Sequence, residues 1–148
     1  MSAQIHLTVA AVIHRAGEYL MVTEIVDGAR VLNQPAGHIE PGESALEAVC
    51  REALEETGWQ VRPVVCLGLA CYIAPDGGTY HRYNFLCDPI AERSDRLDPD
   101  IESRLWLPAA AILDASYRHR SPMVRGVVED HRAGLGFPLS LLRDYRQG

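Results

Sequence analysis

GHIEPGESALEAVCREALEETGW, residues 37–59, carries the strongest local signals in the chain. Ser44 is followed three residues later by Glu47, the pairing of a capping box, in which two side chains satisfy backbone N–H groups that a first helical turn leaves free. Gly58 stands where such a helix has to end, because glycine adopts left-handed backbone without a Cβ clash. The spacing therefore predicts a helix over 44–57. Its charge is one-sided. Glu40, Glu43, Glu47, Glu52, Glu55 and Glu56 face a single base, Arg51, a local charge of −5 in a chain of net charge −6. At about 100° per residue, Glu52, Glu55 and Glu56 share one arc with the small Ala45 and Ala48. Leu46, Val49, Cys50, Ala53 and Leu54 form another side, expected to anchor the helix on a sheet.

Most acidic runs are solvated helix faces. Here like charges at i,i+3 and i,i+4 repel one another, and only Arg51 is near enough to relieve them. A divalent cation would do so, and all-oxygen ligation selects a hard ion, Mg2+ or Mn2+. The loop 37–42 brings backbone carbonyls and Glu43 to the same end of the helix. Arg51 can reach back to Glu43 or across to Glu55, which reads as bracing of the ligands.

Outward from this helix the pattern is mostly extended. Ile5–His14 alternates apolar and polar residues, and Glu18–Val26 follows a turn at Ala16-Gly17. Asp27-Gly28 is a hairpin signal before a short return at Arg30–Leu32, and Gln34-Pro35-Ala36-Gly37 breaks the extended pattern. Trp59–Ile73, Tyr80–Cys87 and Ile101–Leu107 read as strands, with Pro75–Gly78 and Arg93–Asp100 as loops. Pro108–Ala115 reads as a short helix. Ser121-Pro122 is an N-cap and N1 pair for a helix to about Ala133. Strands on both sides of one helix, with another helix near the C-terminus, predict an α/β (α+β) fold with a mixed sheet and helices packed on its faces.

The 148 residues predict one domain, 1–148. Apolar residues at 47% and charged residues at 23% are the balance of a globular protein. No apolar run is long enough to span a bilayer and no signal peptide is visible, so no membrane association and a cytoplasmic location are expected. An acidic chain argues against nucleic acid as a partner. Lys is absent and all fourteen basic residues are Arg, so any basic contact to phosphate would come from a guanidinium fork. Cys50, Cys66, Cys71 and Cys87 lack metal-ligand spacing and are expected to be buried thiols.

The 37–59 segment resembles the Nudix box, G-x5-E-x7-R-E-U-x-E-E-x-G-U with U apolar. Gly37, Glu43, Arg51, Glu52, Glu55, Glu56 and Gly58 occupy its fixed positions, and Ala53 and Trp59 its apolar ones. Beyond the box, Gln34–His38 (QPAGH), Ile73–Gly77 (IAPDG), Arg120–Pro122 (RSP) and Gly136–Leu139 (GFPL) are similar to the NudJ-type phosphatase branch. His38 follows Gly37 where many members carry another residue. The resemblance implies an α/β/α sandwich and a hydrolase for phosphoanhydride bonds in nucleoside tri- and diphosphates or related pyrophosphates, including a pyrimidine pyrophosphate of thiamine synthesis. The rival reading is a catalytically silent Nudix module that binds a nucleotide as a regulator.

By position in the box, the resemblance makes Glu55 and Glu56 principal metal ligands and Glu52 a ligand or the base that activates water. It completes the ligand set with the Ala36 carbonyl and makes Gly37, Glu43 and Arg51 supporting residues. It also implies a carboxylate from outside the box, for which Asp100 and Glu102 are the candidates, with Glu102 ahead. Substrate-contact candidates are Arg30, Arg82, Tyr80 and His38, with His81 as a further one. Trp59, Trp106, Phe85 and Phe137 are expected in the core. The expected partner is a small phosphorylated molecule, and the expected assembly a monomer or weak homodimer.

Overall fold

The computed structural model describes residues 4–147. Seven strands form the sheet: β1 Ile5–Arg15, β2 Glu18–Val26, β3 Ala29–Asn33, β4 Ala36–His38, β5 Trp59–Ile73, β6 Thr79–Glu92 and β7 Ser103–Pro108. The helices are α1 Ala45–Thr57, α2 Ala109–Leu113 and α3 Pro122–Arg132, followed by a 3-10 turn at Leu139–Leu141. The main strand order is β3-β2-β1-β6-β5, with β4 paired to β1 and β7 to β2. The sheet is mixed, since β1 runs parallel to β6 and antiparallel to β2 and β4.

β1 explains why its sequence becomes a continuous apolar run, Val9-Ala10-Ala11-Val12-Ile13. Successive side chains point to opposite faces of a strand, and here both faces are covered. Val9, Ala11 and Ile13 pack with Phe85, Cys87 and α1 residues Ala48, Val49 and Ala53. Val12 packs on the other face with Tyr19, Met21, Leu32, Leu67, Ile112 and α3 residues Val124, Val127 and Val128. Helices on both faces of the sheet make the expected α/β/α sandwich.

β1 also splits the sheet. Its residues Thr8–Ala10 pair with β4, while only His14 and Arg15 pair with β2. Between these two pairings the sheet opens.

α1 begins as the sequence requires. The Glu47 N–H donates to Ser44 Oγ at 3.1 Å and the Ser44 N–H to Glu47 Oε1 at 2.9 Å. Gly58 ends it at φ 76°. Ser44→Ala is expected to lower stability by about 1 kcal/mol, read as a fall in the thermal midpoint with activity retained.

Several expectations are corrected. β4 falls where Pro35 and Gly37 predicted a break; a three-residue strand has no periodicity of its own and exists through its pairing to β1. β6 runs on to Glu92, beyond the expected end at Cys87. Leu54 is 42% exposed, and Ala48 is buried. The buried arc of α1 is centred on Val49, Ala53 and Glu56, so the helix is rotated toward its glutamates. Cys71 is exposed, Cys50 is partly buried, and only Cys66 and Cys87 are the buried thiols expected. Phe85 is fully buried, but Phe137 is 42% exposed. Trp59 and Trp106 meet edge to face beneath the Arg15 guanidinium.

Candidate active site

The register of β4 sets the direction of its backbone groups. The Ala11 N–H donates to the Pro35 carbonyl and the Ile39 N–H to the Leu7 carbonyl. Ala36 and His38 are thus the non-hydrogen-bonded partners of β1, and both turn their N–H and C=O away from it. These groups meet α1 instead. The Ala36 N–H donates to Glu56 Oε1 at 2.9 Å, and the His38 carbonyl accepts from Arg51 Nη2 at 3.0 Å.

Gly37, between them, is needed for proximity rather than for an unusual backbone angle. A Cβ built there would fall inside the van der Waals envelope of the Glu52 carboxylate. The bare backbone of β4 and the side chain of Glu52 share that space.

Arg51 ties the acids together. Its Nε and Nη2 grip Glu43 at 2.6 and 2.9 Å, and its Nη1 donates to Glu52 at 2.8 Å and Glu55 at 3.2 Å. The Glu43 carboxyl is held below its ordinary range, chiefly by the hydrogen bonds from Arg51. Glu55 stands half in solvent.

Glu52 and Glu56 turn inward, and their acidity follows. Burial raises the Glu52 pKa against the pull of Arg51, with Glu55 and Asp98 adding repulsion. Glu56, 9% exposed, is pushed up to about 9. Burial is the main cause; the Ala36 N–H opposes it, and the charges of Glu52, Glu24 and Asp98 reinforce it. Arg51 makes no ion pair with Glu56, so that carboxylate lacks the relief its neighbours have.

The residues fit a divalent cation. A buried acid surrounded by other acids is unfavourable when ionised, and a bound cation reverses that sign. The Ala36 carbonyl, turned away from β1, adds a neutral oxygen to the acidic donors. Among the described residues, however, no three acid, histidine or cysteine side chains already form a ligand cage. Arg51 holds two of the acids in ion pairs of their own.

Two acids beside this wall lie outside the sequence expectation. Asp98 donates its N–H to the Glu55 carbonyl at 2.8 Å, which seats its loop against α1. Glu24, on β2, accepts from Asn33 at 3.4 Å and lines the adjoining cavity. Sequence reasoning reached the Asp98-Pro99-Asp100 loop but named its last residue. Glu24 offered only one hint, an acid following Thr23 after the apolar run Tyr19–Val22 of β2.

Glu102 does not join the wall. Arg30 closes on it with two hydrogen bonds of 2.5 and 2.7 Å, and the Thr23 hydroxyl donates at 2.9 Å. The pair spends its charges internally on the β2–β3–β7 side. The structure thus brings Glu102, expected as a ligand, together with Arg30, expected as a substrate contact, and places the pair apart from the acid wall. Asp100 does line the cavity.

The cavity is about 680 Å3 and opens where the sheet splits. Its lining includes Ala36, Gly37, His38, Glu56, Tyr80 and Arg82. The pairings Thr8↔His38 and Thr8↔Arg82 put His38 and Arg82 in one row across three strands. Tyr80 is one row along, stacked on His6 at 4.3 Å, and His6 Nδ1 lies 2.9 Å from His38 Nε2. Strand alternation sends His81 to the opposite face. A second depression, about 420 Å3, lies beside α1 and is lined mainly by Leu46, Cys50, Pro63 and Leu139. It gathers no converging donors.

Comparison with known proteins agrees with this arrangement. The family description "NUDIX domain" matches residues 4–126. The chain is 37% identical over 142 residues to the phosphatase NudJ of Escherichia coli strain K12, covering 95% of this chain and 92% of that protein. A solved NUDIX hydrolase from Nitrosomonas europaea superposes with a TM-score of 0.90 at 41% identity, covering 95% of this chain and 97% of that one. A MutT NUDIX hydrolase structure from Burkholderia pseudomallei, at 22% identity and a TM-score of 0.74, shares the fold. An acid wall built from one helix and one bare strand, in a chain that matches these proteins along nearly its whole length, places this protein in the Nudix hydrolase family.

Proposed function

We propose that the chain hydrolyses phosphoanhydride bonds of nucleoside tri- and diphosphates or related pyrophosphates, such as a pyrimidine pyrophosphate of the thiamine type, with Mg2+ or Mn2+. We place it in the cytoplasm, acting on small phosphorylated molecules as a monomer or weak homodimer. Its free thiols suit a reducing compartment. The observation that carries the proposal is Glu56, a buried acid pressed by Glu52, Glu24 and Asp98.

Glu52, Glu55, Glu56 and the Ala36 carbonyl would hold the cation. When bound, the cation neutralises phosphate charge and acidifies an attacking water. The remaining work falls to the chain. Arg51 and Glu43 keep Glu52 and Glu55 from splaying apart. Gly37 lets Glu52 lie against β4. A carboxylate of the same wall takes the proton of the attacking water. The cavity beside Glu56 receives the rest of the substrate.

The test is a panel of nucleotides, nucleotide sugars, dinucleoside polyphosphates and thiamine-pathway pyrophosphates with Mg2+, with products identified. Metal-dependent release of phosphate or pyrophosphate is expected. Tight nucleotide binding with no turnover on any compound would favour the silent module instead.

A further inference from the structure

Arg82 is a cation held without an anion. It sits on β6, faces the cavity and is only 3% exposed. Its Nε donates to Asn84 Oδ1 at 2.8 Å, and its Nη2 to the Met123 carbonyl at 3.0 Å and Gln34 Oε1 at 3.4 Å. All three acceptors are neutral. Nη1 has no hydrogen-bond partner among the described residues. Arg30, Arg51, Arg62, Arg104, Arg125 and Arg146 all reach carboxylates, and they are all more exposed.

A buried charge is costly unless it is paired. Burial already draws the Arg82 pKa down to about 10, which still leaves the guanidinium charged at neutral pH. The surroundings hold it in place rather than neutralise it. Gln34 is 1% exposed and donates to the Val124 carbonyl at 2.9 Å, which aims its oxygen at Arg82. Arg120, exposed, adds a second positive charge to the cavity lining.

We propose that Arg82 anchors a phosphate of the substrate at a subsite separate from the acid wall. The identity of that anion rests on the phosphoanhydride reading above. Ala36, which binds Glu56, and Asn84, which binds Arg82, share one row with β1 between them. That is two strand spacings, roughly 10 Å. That spacing leaves room for a phosphate on Arg82 distinct from the one at the acid wall. The favoured substrates are those with a phosphate to spare beyond the bond that is cut.

The subsite is tested without turnover, by thermal melting in EDTA at matched ionic strength with and without excess inorganic phosphate. Wild type is expected to rise by roughly 3 °C with phosphate, and Arg82→Gln by nothing measurable. The midpoint of Arg82→Gln in phosphate-free buffer reports only the lost hydrogen bonds to Asn84, Gln34 and Met123, so the readout is the phosphate shift. A mere tether from Arg82 to α3 gives no phosphate effect in wild type. That result overturns the proposal, as does a phosphate shift that survives the substitution. If Arg82→Gln fails to fold, Arg82→Lys serves, with a reduced shift expected and an undiminished one counting against the subsite. With Mg2+, the kcat/KM ratio of a nucleoside triphosphate over the matching diphosphate should fall at least tenfold in the variant, through KM. Equal losses on both would overturn the spare-phosphate assignment. Wild type that binds phosphate through Arg82 yet hydrolyses nothing would defeat the hydrolase reading alone.

Discussion

Glu56→Gln is expected to cost at least about 10^3-fold in turnover, roughly 4 kcal/mol of transition-state stabilisation, while the protein folds normally. Gln keeps the size of the side chain and an oxygen for the Ala36 N–H, which donates at 2.9 Å. It removes the charge a cation would bind.

The same substitution has a signed effect on stability in the absence of divalent metal. Folding raises the Glu56 pKa from 4.5 to about 9. Between those values the folded chain holds a proton that the unfolded chain has released. Stability therefore declines as pH rises through that window. Glu56→Gln has no such proton to lose. In EDTA at pH 8 it is expected to exceed wild type by several kcal/mol, roughly 4–5, and to match it near pH 4.5. Denaturation across that pH range, paired with phosphate-release assays, checks both halves. A variant with wild-type turnover would remove Glu56 from the metal site, and a wild-type pH slope would show that its burial is misjudged.

Gly37→Ala is expected to lower kcat/KM by about 10^2-fold, roughly 3 kcal/mol, with the melting midpoint nearly unchanged. The new methyl would occupy the space of the Glu52 carboxylate. That carboxylate is the far end of a flexible side chain, so it can swing away at little cost to the fold. In doing so it leaves the wall and loosens its 2.8 Å contact with Arg51. Full activity in Gly37→Ala would show that Glu52 works equally well away from β4.

The two substitutions separate what was legible in the sequence from what was not. The capping box, Gly58 and the spacing of Glu52, Glu55 and Glu56 were all readable, because each depends on residues within a few positions along one helix. The mixed sheet followed from strand patterns and turn residues. β4 was not readable, since its three residues are held by a partner strand far away in sequence. The rotation of α1 was misread because side-chain hydrophobicity put Leu54 inside and Glu56 outside. The split sheet supplied a polar cleft that reverses them. Asp98 and Glu24 come from separate elements, and no local spacing connects either to the box.

Residues 37–59 alone determined the helix, its ends, the row of acids and the family resemblance, since these follow from backbone capping and side-chain period. The tertiary structure decided how deeply each acid is buried, that Arg30 and Glu102 neutralise each other, and that Arg82 does not find a carboxylate. Burial and charge pairing depend on which distant strands close around a side chain, and a linear pattern carries no record of that.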